Sequence, residues 1–367
     1  MLTESKRKKI FLVAGARPNF MKIAPVAREL DRHEKVFAYK IVHTGQHYDY
    51  EMSEVFFEEL GIREPDYFLG VGSGSHARQT AKIMTSFEDL CEQDRPDLVI
   101  VVGDVNSTLA CSVTAKKLHI PVAHVEAGLR SRDMNMPEEI NRIVTDSISD
   151  YYFVTEKSGV ENLIAEDKPD ERIFFVGHVM IDNLIFQLKK LEEGIRERPF
   201  SDSIKDQFSR YGVVTLHRPS NVDDKETLEG IAGALSTLSE DLPLVFPIHP
   251  RTKKNLERFN IQLNASIVVT EPLSYMEFLN LWKDASMVLT DSGGIQEETT
   301  ALGIPCLTLR ENTERPITVS EGTNIVVGSS PPKILSEARR ILEGEVKEGK
   351  RPELWDGKAS ERIVDVL

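Results

Sequence analysis

Short runs of apolar, often β-branched residues recur along the chain, separated by longer stretches in which apolar residues return every three or four positions. Ile10–Ala14, Phe37–Val42, Leu98–Val102, Val122–Val125, Tyr152–Val154 and Ile173–Val176 read as strands. Between them, His76–Gln93 carries Ala77, Ala81, Met84, Phe87 and Cys91 at helical spacing. Pro137–Ser149 opens with a proline and two glutamates, which suits the first turn of a helix and its positive dipole end. From Lys189 to Ser209 the pattern pauses and charge dominates. It resumes with strand candidates at Val213–Leu216, Leu244–Ile248, Ile267–Val269, Met287–Thr290, Cys306–Leu309 and Asn324–Val327. Strand alternating with helix predicts an α/β chain of two Rossmann-like, doubly wound parallel-sheet domains. Their boundary falls near residues 176–205, giving domains 1–190 and 191–350. A last stretch, 351–367, holds a short helix at Lys358–Leu367 that could pack back on the N-terminal domain.

Composition narrows the function. The 367 residues are 40% hydrophobic and 28% charged, as in ordinary globular chains, and are enough for two cores. A formal net charge of −14 with no basic stripe excludes a general nucleic-acid surface. The one basic run, Lys6–Lys9, reads as a solvated lead-in to the first strand. No segment approaches the ~20 apolar residues that span a bilayer, so no membrane attachment is expected. Cys91, Cys111 and Cys306 form no Cys-x-x-Cys pair and read as reduced core thiols of a cytoplasmic protein.

Ligands of open α/β sheets bind beyond the carboxyl ends of the strands, so the residues just after each strand carry the information. These are Gly15-Ala16-Arg17-Pro18-Asn19 with Lys22 following, Thr44-Gly45-Gln46-His47, Gly103-Asp104 and Glu126-Ala127-Gly128-Leu129-Arg130. In the second half they are His217-Arg218, His249-Pro250-Arg251 and Asp291-Ser292-Gly293-Gly294. The last is the strongest local signal. Two glycines at a strand-to-helix turn let a phosphate approach the backbone, and the amides and dipole of the following helix stabilise its charge. Glu298, a turn further on, could take hydrogen bonds from ribose hydroxyls. The plainer alternative for the tetrapeptide is a helix start capped by Asp or Ser.

No nicotinamide cofactor is expected, because Arg17 stands where the dinucleotide fingerprint needs its second glycine. There is no P-loop and no Asp-x-Asp pair to seat a metal-bound diphosphate. His217 and His249 lack spaced partners for zinc and read as hydrogen-bonding groups. No cofactor and no metal are therefore predicted, with Arg17, Arg315 and the helix terminus in place of a metal at the diphosphate. Asp104, Glu126 and Glu138 are the acid–base candidates. Singly they could be an N-cap, a salt-bridge partner and a dipole-favouring surface residue. Together they gather carboxylates around one cleft, which suits proton transfer.

These residues in this order resemble the non-hydrolysing UDP-N-acetylglucosamine 2-epimerases over nearly the whole chain. The anchors are Gly15–Pro18, Gly103-Asp104, His124–Arg130, Pro137–Arg142, Thr215–Arg218, Asp291–Glu298 and Glu314–Pro316. The resemblance implies the glycosyltransferase-B architecture, with two domains facing across the ligand cleft, and a homodimer. It implies interconversion of UDP-N-acetylglucosamine and UDP-N-acetylmannosamine by elimination of UDP to 2-acetamidoglucal and its re-addition. Asp104, Glu126 and Glu138 would move protons, and His217 would assist at the phosphate or leaving oxygen. Arg17, Lys22, Ser292, Gly293, Gly294, Glu298 and Arg315 would hold UDP, with Phe278 against the uracil.

Some positions depart from the family pattern: Asn19-Phe20-Met21 for Glu-Ala-Ile, Pro219-Ser220-Asn221 for Arg-Glu-Asn, and Leu273 near the uracil. Of a second, regulatory nucleotide-sugar position found in some members, Gln46, His47, Arg78 and Gln79 remain, while Asp49 replaces an expected glutamine. A glycosyltransferase of the same architecture is the alternative, but it would not require three carboxylates in the first domain. A hydrolysing epimerase would usually carry an added kinase domain, and a silent binding protein would have lost some of these groups.

Overall fold

Two parallel sheets organise the computed structural model, which describes residues 7–45, 54–194 and 200–367. The first unit comprises Met1–Gln187 and Glu353–Leu367. Its strands are β1 (Lys8–Ala14), β2 (Phe37–His43), β3 (Tyr67–Phe68), β4 (Leu98–Val102), β5 (Val122–Val125), β6 (Tyr151–Val154) and β7 (Ile173–Phe175). They lie in the order β3-β2-β1-β4-β5-β6-β7. Phe11, Val13, Val99, Val101 and Val122 pack with Ile83, Phe87 and Cys91 of helix His76–Gln93 and with Ala110 and Cys111 of helix Asn106–Lys117. The alternate residues Ile10, Leu12, Ile100 and Ala123 are equally buried. With both faces covered, a strand needs no polar side, and so these runs are almost wholly apolar.

The second unit, Leu188–Pro352, repeats the plan. Strands β8 (Gly212–Thr215), β9 (Leu244–Pro247), β10 (Ile267–Thr270), β11 (Met287–Thr290), β12 (Cys306–Thr308) and β13 (Asn324–Val326) run in the order β10-β9-β8-β11-β12-β13. Leu228, Ile231, Leu235 and Leu238 of helix Lys225–Asp241 and Ile334, Ala338 and Ile341 of helix Pro331–Leu342 join its core. In each sheet the connections reverse direction once, at β1/β4 and at β8/β11. The chain therefore leaves these neighbouring strands toward opposite faces, opening a crevice at their carboxyl ends.

Two elements lay beyond the sequence pattern. The two-residue β3 is too short to show a period. Helix Phe200–Gln207 falls in the charged interval read as a pause; its first amides, Phe200 and Ser201, donate to Glu277 at 2.9 and 3.0 Å. That cap comes from a distant helix, so no local signal announces it.

The chain's last residues belong to the first unit. Trp355 is 1% exposed, its indole Nε1 donates to the Thr155 carbonyl at 3.4 Å, and its ring meets His178 edge-on. Asp182 accepts from the Ala359 and Ser360 amides at 3.0 and 2.7 Å, and so satisfies the first turn of helix Ala359–Val366. Gly177 has φ +88°, and a Cβ there would lie 2.0 Å from the Leu354 carbonyl oxygen. Trp355→Ala is predicted to cost about 3–5 kcal/mol, and Gly177→Ala to strain the same seam. Hydrogen exchange read by mass spectrometry should show lost protection across Ala359–Val366 in both variants; unchanged protection would contradict this docking.

Candidate active site

The edge of the first sheet is assembled by strand register. Val102 pairs with Val125, so Gly103-Asp104 and Glu126 leave adjacent strands side by side. The Gly103 amide donates to the Val125 carbonyl at 3.0 Å. The β1 turn is closed by Asn19, whose Oδ1 accepts from the Gly15 and Ala16 amides at 3.1 and 3.0 Å. Helix Arg17–Arg32 then carries Lys22 to an ion pair with Glu126, whose side chain is only 2% exposed. A Cβ on Gly103 would lie 3.0 Å from Lys22 Nζ and 3.3 Å from Glu126 Oε2, so the absence of a side chain makes room for this pair. The resemblance assigns Lys22 to UDP; in this structure its charge is engaged by Glu126. Removing either partner would leave the other as an uncompensated buried charge, a loss of about 3–5 kcal/mol.

Glu126 itself has φ +69°, a left-handed conformation that costs a non-glycine residue about 1–2 kcal/mol. The network around β5 holds it there. His124 Nδ1 lies 2.6 Å from Asp146 Oδ1, and its Nε2 lies 2.8 Å from the Gly103 carbonyl. Asp146 also takes the Gly128 amide at 3.0 Å and Arg130 at 2.7 Å. Gly128 has φ +80°, and a Cβ would sit 2.3 Å from the Gly159 carbonyl, so only glycine fits where this turn meets the next helix.

Asp104 keeps a third of its side chain exposed and receives Arg142 Nε at 3.1 Å. Arg142 NH1 also donates to Glu139 at 2.9 Å, and Glu139 in turn accepts the Ser131 and Arg132 amides. Glu139 is thus the buried clamp of this loop. Glu138, on the first turn of helix Pro137–Ile148, is only partly buried. Arg17 starts the first helix with its guanidinium 5.2 Å from the Phe56 ring centroid.

In the second unit, β8 and β11 are register partners through Thr215 and Thr290. Ser292 is the N-cap of helix Gly293–Leu302, and its amide donates to Thr290 Oγ1 at 2.9 Å. A Cβ on Gly293 or Gly294 would meet no side chain or distant backbone within 4 Å, so the surface beside this first helical turn is uncrowded. Asp291 is a different matter. Read in the sequence as part of the phosphate seat, it is fully buried and accepts from the His217 and Arg218 amides, Asn221 Nδ2 and His217 Nδ1. Burial alone would raise its carboxyl; the hydrogen bond and charge of His217 and the two amides outweigh that and hold it below the usual range. His249, 5.8 Å from His217 between ring centroids, accepts the Arg251 amide as the cap of helix Pro250–Phe259.

Glu298 is buried and accepts the Tyr275 hydroxyl at 2.7 Å, while Phe278 is half buried on helix Tyr275–Trp282. Arg315 pairs with Glu297 at 2.6 Å. Two cations were given no role in the sequence reading. Burial opposes ionisation of Glu314, but Arg310 foremost, then Arg218 and Arg315, hold its carboxyl below the ordinary value. Arg218 and Arg310 therefore belong with Arg315 in one basic cluster. Arg218 had a signal, its place directly after His217; Arg310 had a weaker one, its place just after the strand candidate Cys306–Leu309. Among the described residues no three His, Cys, Asp or Glu side chains gather as a metal site. Gln46, His47 and Asp49 lie outside the described residues. Arg78 and Gln79, with Val71, Ser73, Ser75 and Lys82, line a hollow of about 450 Å³.

A family model described as UDP-N-acetylglucosamine 2-epimerase matches residues 28–367. The UDP-N-acetylglucosamine 2-epimerase of Methanocaldococcus jannaschii is 43% identical over 365 residues, covering 98% of each chain. A crystal structure of that archaeal enzyme in complex with UDP-GlcNAc and UDP matches with a TM-score of 0.85 at 42% identity, over 98% of this chain and 99% of that one. The UDP-2,3-diacetamido-2,3-dideoxy-D-glucuronate 2-epimerase of Pseudomonas aeruginosa is 39% identical, covering 98% of this chain and 99% of the other. A lipopolysaccharide outer core galactosyltransferase, 13% identical over 98% of this chain and 100% of its own, shares the fold alone, with a TM-score of 0.55. The expected fold class, two Rossmann-like parallel-sheet domains of the glycosyltransferase-B kind, is the one found.

The buried network yields a pH prediction. Burial would raise the Asp146 carboxyl, but the charge and hydrogen bond of His124, then those of Arg130, outweigh it and hold it below the ordinary 3.8. A carboxyl depressed in the folded chain stabilises it fully above that ordinary value and ceases to do so as pH falls through the depressed one. Asp146→Asn should therefore lower the thermal midpoint at neutral pH, and its gap from wild type should narrow below about pH 4. A gap that stays constant into acid would contradict this role.

Proposed function

The chain belongs to the UDP-N-acetylglucosamine 2-epimerase family, and from that premise we propose that it is an isomerase interconverting UDP-N-acetylglucosamine and UDP-N-acetylmannosamine. The likeness to the archaeal enzyme, 43% identical over 98% of both chains, carries this reading. The chemistry of the residues agrees with it. The proton on carbon 2 passes to a carboxylate of the first unit as the bond from carbon 1 to the phosphate oxygen breaks. The electron pair leaves with UDP, and 2-acetamidoglucal remains. Re-addition of UDP, with a proton delivered to the opposite face, completes the inversion. UDP is a good leaving group, so no hydride carrier is needed, and two faces call for separate acid–base groups.

In this proposal Asp104, Glu126 and Glu138 move the protons, and His217 assists the leaving oxygen. The amides of Ser292, Gly293 and Gly294, with Arg315 and the newly recognised Arg218 and Arg310, hold the diphosphate. Glu298 takes the ribose, Phe278 lies against the uracil, and Arg17 and Lys22 complete the set. Assembly as a homodimer in the cytoplasm belongs to the same proposal; three buried free cysteines suit a reducing compartment. No helix among the described residues is long and apolar enough to cross a membrane.

The glycosyltransferase alternative is not favoured, since the transferase likeness is one of fold alone. A second reading does have support: the Pseudomonas relative acts, by its name, on a 2,3-diacetamido glucuronate. Proton spectra recorded with either UDP-sugar in deuterated water separate the two. The expected result is UDP-N-acetylmannosamine carrying deuterium at carbon 2, formed without added metal or nicotinamide. Exchange confined to the diacetamido glucuronate would move the substrate; no exchange with either would sink the epimerase reading. Asp104→Asn should lower exchange on the order of 100-fold or more while UDP binding persists.

A further inference from the structure

Asp291 closes β11 with no surface left to solvent, yet it stands beside the residues that open the phosphate-binding helix. Its carboxylate meets the segment that follows β8: the His217 amide at 3.0 Å, the Arg218 amide at 2.9 Å, Asn221 Nδ2 at 3.1 Å and His217 Nδ1 at 2.9 Å. An ionised carboxylate only accepts hydrogen bonds. The hydrogen of that last bond therefore sits on Nδ1, and Nε2 is the ring nitrogen left for other work. The His217 side chain keeps 37% of its surface exposed, so the ring is buried on the carboxylate side without being sealed.

We propose that Asp291 is the positioning residue of His217: it fixes the hydrogen on Nδ1 and the rotation of the ring, so that in the imidazolium form Nε2–H points at the diphosphate or leaving oxygen and can donate to it. The same carboxylate binds the His217 and Arg218 amides, so the ring, the backbone at Arg218 and the start of helix Gly293–Leu302 are held in one frame. Asn221 supports that frame from its far side, donating from Nδ2 to the Leu309 carbonyl as well, at 2.7 Å. The role of Nε2 in catalysis rests on the epimerase reading; the tautomer and the frame do not.

The test begins with the unaltered full-length protein and no substrate. Long-range proton–nitrogen spectra of the histidine rings, with His217→Gln used to assign the signal, should show hydrogen on Nδ1 and a bare Nε2 once the ring is neutral. A neutral ring with hydrogen on Nε2 would overturn the proposal, whatever the enzyme does with sugars. Asp291→Asn puts an amide where four donors converge, and should shift His217 into a mixture of tautomers. Its kcat should fall about 10- to 100-fold while the UDP dissociation constant moves less than about threefold. Unchanged kcat, or UDP affinity falling in step with kcat, would also overturn it. Should that variant not fold, the wild-type tautomer decides. Failure of carbon 2 exchange together with the predicted tautomer would remove the epimerase reading and leave the positioning role standing.

Discussion

A carboxylate taken wholly out of water must find its donors inside the protein, and each unit of this chain is built around one that does. Asp146 collects His124, the Gly128 amide and Arg130; Asp291 collects His217, the Arg218 amide and Asn221. Both lie at the carboxyl edge of a parallel sheet, where strand ends leave backbone amides without a ladder partner. An unpaired buried amide or carboxylate would cost several kcal/mol, so the two kinds of group fix one another. The turns that carry Glu126 and His217 are rigid for this reason, and the rest of the site inherits its geometry from them.

In the proposed function the two units divide the chemistry. The first gathers Lys22, Asp104, Glu126 and Glu138 at the edge of β1, β4 and β5, a set suited to moving protons. The second gathers helix amides, Arg218, Arg310 and Arg315 near the edge of β8, β11 and β12, a set suited to a diphosphate. A net charge of −14 does not oppose this, because a few cations in low dielectric outweigh a diffuse, screened surface charge. Glycines serve the sites in different ways: Gly128 permits a close approach between chain segments, while Gly293 and Gly294 border open space.

Much of the fold was legible because burial on both faces leaves nearly continuous apolar runs, as in Ile10–Ala14 and Leu98–Val102, and the motifs after the strands marked the sheet edges. What escaped depends on partners distant in sequence. Asp291 looked like part of the phosphate seat because Ser292-Gly293-Gly294 follows it; only pairing of Thr290 with Thr215 reveals that it turns inward to His217. The ion pair between Lys22 and Glu126 also has no trace in the sequence, because helix Arg17–Arg32 and the turn after β5 are far apart along the chain. Glu139 was given no part in the sequence reading beside Glu138; the helix phase buries it. The cap that Glu277 places on Phe200 and Ser201 likewise has no local trace.

In the proposed function UDP leaves and is added back, so the bond from carbon 1 to oxygen must break and re-form in every turnover. Positional isotope exchange tests this directly, using UDP-N-acetylglucosamine carrying oxygen-18 in the bridge between carbon 1 and the β-phosphorus, with unlabelled UDP in solution. The account predicts that label moves from the bridge into non-bridging β-phosphate positions as epimerisation proceeds, while little unlabelled UDP enters the sugar nucleotide. Inversion at carbon 2 with every label still in the bridge would contradict it.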